Sequence, residues 1–304
     1  MRELVSIILS ILILISIGFL SKRAGLLKKE HAAILNDIII YLTMPALIFR
    51  AVAESHVSLS LLKIPLLGYI VMTACLILAL VFGRFMKLSK PTFGALLIAA
   101  SLGNTGYLGY PITLQLFGIQ NLVKAIFYDL FGTVVFMFTI GLFVAGKYGK
   151  GADKIKIIKE VVTFPPLLGL FAALLLKGLD LPGFLSSSIN FLANATIPLI
   201  MFSIGLSLEL TDIGKHKAVI GLAGAIKLVL SPLLAFLGAS IIGMGSIELG
   251  ITTLEASMPT AMITAIIGLK YGLDTDFLPA AIVATTLISL ITIPVWQYVL
   301  RLVM

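Results

Sequence analysis

Charge is the scarcest feature of this chain. Asp, Glu, Lys and Arg together make up 12% of its 304 residues, where an average soluble domain carries about 25%. With a mean hydropathy of +1.14, that scarcity excludes a soluble globular domain and points to a polytopic membrane protein. There is a single cysteine, Cys75, which excludes an intrachain disulfide. The three histidines, His31, His56 and His216, fall at the ends of apolar runs. No His-Glu-x-x-His, Gly-x-Ser-x-Gly or phosphate-cradling glycine loop occurs, so the common hydrolase and nucleotide-binding chemistries have no carriers. An intramembrane hydrolase built on Asp129 would need a second carboxylate to share a proton, and no matching Gly-x-Gly-Asp aspartate is present. The net charge of +8 is scattered over short loops between apolar runs, as membrane topology requires, rather than gathered into a nucleic-acid-binding patch.

What the chain does have is apolar length. Runs of spanning size lie near 4 to 20, 33 to 53, 62 to 86, 92 to 117, 122 to 146, 160 to 178, 185 to 207, 217 to 243, 247 to 272 and 277 to 299. The first is followed by Ser21-Lys22-Arg23 instead of a small-residue cleavage site, so it reads as a span and not a leader. Thr43, Pro45 and Phe49 recur as Thr196, Pro198 and Phe202, and Phe117-Gly118-Ile119 resembles Tyr271-Gly272-Leu273, at offsets of 153 and 154. The expected organisation is a first five-helix repeat over 1–146, a central cytoplasmic loop over 147–159 and a second repeat over 160–304. An odd number of spans per copy inverts the second copy relative to the first. Fifteen Lys and Arg fall on one side of this layout. The other side has six: Arg2, Arg50, Lys63, Lys124, Lys177 and Arg301. The richer side is expected to be cytoplasmic, which puts both termini outside, in a multi-pass plasma-membrane protein.

Two spans are interrupted. Ser101 to Thr113 contains three glycines, Asn104 and Pro111, and Leu254 to Met262 contains Pro259. Gly and Pro in a helix interior cost roughly 1 and 3 kcal/mol relative to Ala, and backbone at membrane depth leaves the helix only where protein or a watery cavity surrounds it. Paired interruptions of this kind point to a transporter's binding site. Half-helices are expected to restart near Gly109 to Pro111 and near Pro259 to Ala261, with exposed amides that favour a carboxylate. Three ionisable residues lie deep. Lys227 is about 15 Å into the eighth span, Glu255 about 12 Å into the ninth and Asp129 similarly deep in the fifth. Lys227 either pairs with Glu255 or Asp129 as a packing device, or attracts an anionic substrate or exchanges a proton. Glu255, Asn104, Asp129 and Thr133, the last two spaced i to i+4, supply oxygens suited to a sodium ion or a proton. Asn104 alternatively bonds free backbone at the break. Tyr107 and Tyr110 either line a cavity or pack. Asp37, Arg50 and Lys63 sit near span ends, where capping or snorkelling is the plainer reading. Pro45 and Pro198 are expected to kink supporting helices.

Asn104-Thr-Gly-Tyr-Leu-Gly-Tyr-Pro111, Tyr41-Leu-Thr-Met-Pro-Ala-Leu-Ile-Phe49 and Met258-Pro-Thr-Ala followed by Tyr271-Gly272 resemble the auxin efflux carrier family, in its prokaryotic form with a short central loop. The resemblance implies an all-α membrane protein of ten transmembrane helices in two inverted five-helix repeats, with broken helices 4 and 9 crossing at the substrate site. It also implies a helical scaffold and a transport domain. Plant members carry auxin, and prokaryotic ones are usually assigned malate, malonate or related carboxylates. In the plant carriers both crossovers hold a proline at the break. Pro259 fits that pattern, while Thr105 stands opposite it. The fold is also similar to that of the sodium/bile-acid symporters, where a glutamate of the ninth helix and an asparagine of the fourth help bind sodium, matching Glu255 and Asn104 by pattern.

The expectation is therefore a secondary transporter of a small organic anion, working by alternating access in the lipid bilayer. Its substrate site would draw on Asn104, Thr105, Gly106, Tyr107, Pro111, Met258, Pro259, Thr260 and Lys227. Ion or proton coupling would use Glu255, Asn104, Asp129 and Thr133. No cofactor is called for beyond a candidate sodium ion, nucleic acid is not a partner, and a homodimer is compatible. An anion channel lined by the same broken helices is the alternative.

Overall fold

The computed structural model describes residues 2–150, 163–208 and 213–303. Among these, every regular element is helical, and the only bridge of β type is an isolated antiparallel one between Gly103 and Thr260. The helices are α1 Arg2–Arg23, α2 His31–Ala53, α3 Leu59–Arg84, α4 Lys90–Ser101, α5 Tyr110–Phe117, α6 Ile119–Tyr148, α7 Pro165–Leu175, α8 Gly183–Ser207, α9 Ile213–Ile241, α10 Ser246–Ala256, α11 Ile263–Tyr271 and α12 Phe277–Val303. Six of them (α2, α3, α6, α8, α9 and α12) are long and apolar enough to cross a membrane. The shortest of the six has 23 residues, or about 35 Å at 1.5 Å per residue, enough for a hydrocarbon core of about 30 Å. Most of the expected central loop, 147–159, and the start of the run expected over 160 to 178 lie outside the described residues. Of that run, α7 accounts for 11 residues.

Both expected interruptions are present. The fourth run divides into α4 and α5, and the ninth into α10 and α11. On the second side the helix restarts at Ile263, later than Pro259 to Ala261, because backbone of 259–261 is engaged elsewhere as described below.

Prolines account for much of the irregularity. Wide, π-type turns occupy Ile39–Thr43, Thr105–Gly109 and Ile226–Leu230, and Pro45, Pro111 and Pro232 each follow two residues after the turn ends. A proline lacks the N–H that the carbonyl four residues back requires, and its ring crowds that carbonyl, so the preceding turn opens. One freed carbonyl finds a partner: Trp296 donates its indole N–H to Leu228 O at 3.0 Å, the carbonyl that Pro232 cannot serve. At the Ile39–Thr43 turn, Thr196 donates its hydroxyl to Thr43 O at 2.8 Å. Pro198, by contrast, lies inside the continuous helix α8. Two further wide turns, Tyr128–Val134 and Met137–Gly141, lie within α6.

The chain forms two compact units. The first draws on Met1–Ser58, Tyr110–Ile126 and Ile155–Leu208, and the second on Leu59–Gly109, Phe127–Lys154 and Glu209–Met304. In the first unit, α1 and α8 approach to backbone contact. A Cβ on Gly18 would stand 2.2 Å from Phe202 O, and one on Gly205 would stand 1.9 Å from Ile15 O. Polar side chains tie the rest together: Ser203 Oγ donates to Asn36 Oδ1 at 2.7 Å, and Lys177 Nζ caps the end of α2 at Val52 O (3.0 Å) and Ser55 O. Arg50, near the end of α2, bonds Glu54 and Asn194 rather than reaching freely for water.

In the second unit, the start of α12 is capped by Asp274, which accepts from the Phe277 amide at 2.9 Å and the Asp276 amide at 3.1 Å. The Thr92 hydroxyl donates to the same carboxylate at 2.6 Å, linking the start of α4 to the start of α12. Burial pushes the Asp274 carboxyl up, but these three donors and nearby His216 push harder the other way, and it rests below the ordinary aspartate value.

Candidate functional site

The site lies in the second unit, where the two interruptions meet. Asn104 N donates to Pro259 O at 2.8 Å, and Ala261 N donates to Leu102 O at 3.0 Å, flanking the Gly103–Thr260 bridge. Two segments that have left the helix thus satisfy each other's backbone, as buried backbone must. The Thr260 amide is also engaged, with Thr285 Oγ1 at 3.2 Å. The amides of Thr260 and Ala261, expected from the sequence to face a carboxylate, are therefore bonded within the protein.

Each first half-helix ends with carbonyls that no later turn can serve. At the end of α4, Thr260 donates its hydroxyl to Ala99 O at 2.9 Å. At the end of α10, Ala256 O accepts from Lys227 Nζ at 2.7 Å and from Ser231 Oγ at 2.9 Å. Lys227 is 2% exposed, and its ammonium is stabilised by the negative end of a helix dipole. It also reaches Ser231 Oγ at 3.3 Å. Its shortest hydrogen bond is to a backbone carbonyl, and the Glu255 carboxylate acts electrostatically on it from the same interior. On its other side, Lys227 lies against Gly103, where a Cβ would stand 3.0 Å from Cε and 3.2 Å from Nζ. One cation therefore touches both interruptions.

The carboxylates lie along the same backbone. Thr105 donates its hydroxyl to Asp129 Oδ1, and a Cβ on Gly106 would stand 3.1 Å from Asp129 Oδ2. Glu255, fully buried, has its carboxyl group against Gly109. Asp129 and Thr133 share the wide turn Tyr128–Val134, so the regular i to i+4 geometry assumed from their spacing gives way to a wider one. Thr133 Oγ1 is buried with no hydrogen-bond partner among the described residues. Asn104 engages through its backbone, whose carbonyl accepts from Leu108 N at 3.0 Å and Gly109 N at 3.3 Å. Met258 and Pro259 are buried, while Gly106 and Tyr107 are half-buried. Pro111 and Tyr110 are buried in the first unit.

Sequence reasoning missed Ser231 and the three glycines as neighbours of the charged groups, and Thr285 as the partner of the Thr260 amide. Ser231 had a signal, since it lies four residues after Lys227 on the same helix. Thr285 had none, being 25 residues from the amide it serves.

Comparison with known proteins establishes the family. The family model described as membrane transport protein matches residues 4–297. An uncharacterized transporter of Methanocaldococcus jannaschii is 38% identical over 305 residues, covering 97% of this chain and 98% of that protein. A candidate malonate transporter of Rhizobium meliloti is 29% identical over 312 residues, covering 99% and 97%. A candidate auxin efflux carrier component of rice is 24% identical over 139 residues, 44% of this chain and 25% of that protein. These relatives are transporters and not enzymes. With the family model spanning nearly its whole length, this chain is a member of the membrane transport protein family, that of the auxin efflux carriers and their prokaryotic relatives.

Proposed function

We propose that the protein is a secondary transporter of a small organic anion, a dicarboxylate such as malonate or malate or an auxin-like acid, and that it works by alternating access. The observation that carries this reading is Lys227, a buried cation touching both interruptions. An ammonium has three N–H groups. Two are directed at Ala256 O and Ser231 Oγ, and we assign the third to the substrate carboxylate. The candidate malonate transporter among the relatives supports an anionic cargo.

Charge balance supports coupling. Lys227, Asp129 and Glu255 are all buried in the second unit, and an entering anion adds negative charge where a single ammonium is available to balance it. A cation travelling with it, sodium or a proton, restores balance. The donors suit sodium: Asp129, Glu255, Asn104 and the Thr133 hydroxyl offer oxygen only, and Thr133 Oγ1 has no competing hydrogen bond among the described residues.

The same reading includes ten membrane segments in two inverted copies, with both termini outside the plasma membrane. Shifting Met1–Ser58 by the repeat offset of 154 gives 155–212, close to the Ile155–Leu208 segment that packs with it in the first unit. Residues 110–126 depart from this pattern, because their counterparts at 264–280 belong to the second unit. Proteoliposomes tested with radiolabelled malonate should show saturable uptake that rises with an inward sodium or proton gradient. Unsaturable flux indifferent to either gradient, or single-channel currents, would overturn the proposal.

A further inference from the structure

Three glycines at 103, 106 and 109 lie against three ionisable side chains, but not equally. At Gly103 and Gly106 an added Cβ would come within 3.0 Å of Lys227 Cε and 3.1 Å of Asp129 Oδ2, contacts a small adjustment relieves. At Gly109 it would stand 2.0 Å from Glu255 Oε2 and 2.6 Å from both Cδ and Oε1. The entire carboxyl group occupies the volume a side chain would take. Backbone conformation does not demand glycine here, because the glycines with positive φ are Gly25, Gly118, Gly178, Gly243 and Gly272. Helix propensity argues against glycine beside α5, where alanine would be favoured by about 1 kcal/mol. What the position requires is space, and Glu255 fills it.

We infer that Gly109 is a positioning residue for Glu255: the gap left by its missing side chain is the seat of the carboxylate, and that seat sets the cation dependence of transport. The inference rests on the transport reading for its functional consequence and on geometry alone for the seat. Because the clashing atoms are the end of a flexible side chain, an alanine at 109 displaces the carboxyl group without forcing backbone apart. The other ionisable side chains buried in the second unit beside this seat are Tyr128 and Asp129 from α6, Cys75 from α3 and Lys227 from α9. Only Glu255 has its carboxyl carbon and both oxygens within 2.6 Å of the position a Cβ on Gly109 would take.

The test is a cycle of Gly109→Ala and Glu255→Asp, in which the shorter acid withdraws the carboxylate by one methylene. Malonate uptake against pH and sodium, and the melting temperature of the purified protein against pH, are measured for each variant. Gly109→Ala alone should stay folded, lose about tenfold in uptake and shift its cation dependence. In the Glu255→Asp background the same substitution should change uptake by less than about twofold. Equal losses in both backgrounds, or an unchanged cation profile in Gly109→Ala, would overturn the inference. If the wild-type protein moves none of malonate, malate and an auxin-like acid, the transport reading fails. The seat is then judged by melting curves alone: their pH dependence should differ between Gly109→Ala and wild type and coincide once Glu255→Gln is present in both. Curves that coincide without Glu255→Gln would overturn it.

Discussion

In the first unit, a side chain on Gly18 or Gly205 would strike a carbonyl oxygen of the facing helix. In the second, a side chain on Gly103, Gly106 or Gly109 would approach the end of Lys227, Asp129 or Glu255. The residue type is the same and the consequence is opposite. Where the neighbour is backbone, neither helix can yield, and glycine serves stability. Where the neighbour is a charged terminus, the terminus can move, and glycine serves placement of that charge. The polar contacts divide the same way. In the first unit, Thr196, Ser203 and Lys177 hold helices together. In the second, Lys227, Ser231 and Thr260 satisfy carbonyls left without a helical partner where two helices end.

The contrast breaks most visibly at Gly205. Gly205→Ala should destabilise the protein by about 3 kcal/mol or more, since overpacking against unyielding backbone is at the costly end of core substitutions. Thermal unfolding in detergent would read this as a large drop in melting temperature, and a wild-type melting curve would dissolve the distinction. Lys227→Met should do the reverse. An apolar chain of similar volume in place of a buried cation is close to neutral in stability, and Ser231 still serves Ala256 O. Anion uptake should nonetheless fall about a hundredfold. A variant that transports normally would return Lys227 to a packing role.

The smallest effect is expected at Asp274, where the second unit contains an ordinary structural device. Asp274→Ala should cost about 1 kcal/mol as the loss of a helix cap. Its pH dependence has a definite sign: a carboxyl held below its unfolded value stabilises the fold above that value, and the contribution disappears as pH falls through the lower, folded one. Wild type and Asp274→Ala should therefore differ in melting temperature at neutral pH and converge in strong acid. A difference independent of pH would place the cap's contribution in packing.

Much of this was legible in the residues. The interruptions at Ser101 to Thr113 and Leu254 to Met262 were visible because glycine and proline are so poorly suited to a helix in lipid. Lys227, Asp129 and Glu255 were visible because charge is so rare in the apolar runs. The partner of Lys227 was not visible, because it is a carbonyl, and every residue has one. Nor could periodicity foresee that Asp129 and Lys227 sit in wide turns, since the proline behind the Ile226–Leu230 turn acts through a missing hydrogen bond that leaves no mark on the hydrophobic pattern. The seat at Gly109 depends on a contact between residues 146 positions apart, which only the folded chain reveals.

The tie between Trp296 and Leu228 has a practical side. The chain contains one tryptophan, and its ring nitrogen is anchored on the turn that carries Lys227. Any rearrangement of that turn must stretch or release the indole's bond. The protein thus comes with its own fluorophore beside its charged centre, and emission from unlabelled molecules can report on that turn when a candidate anion is added.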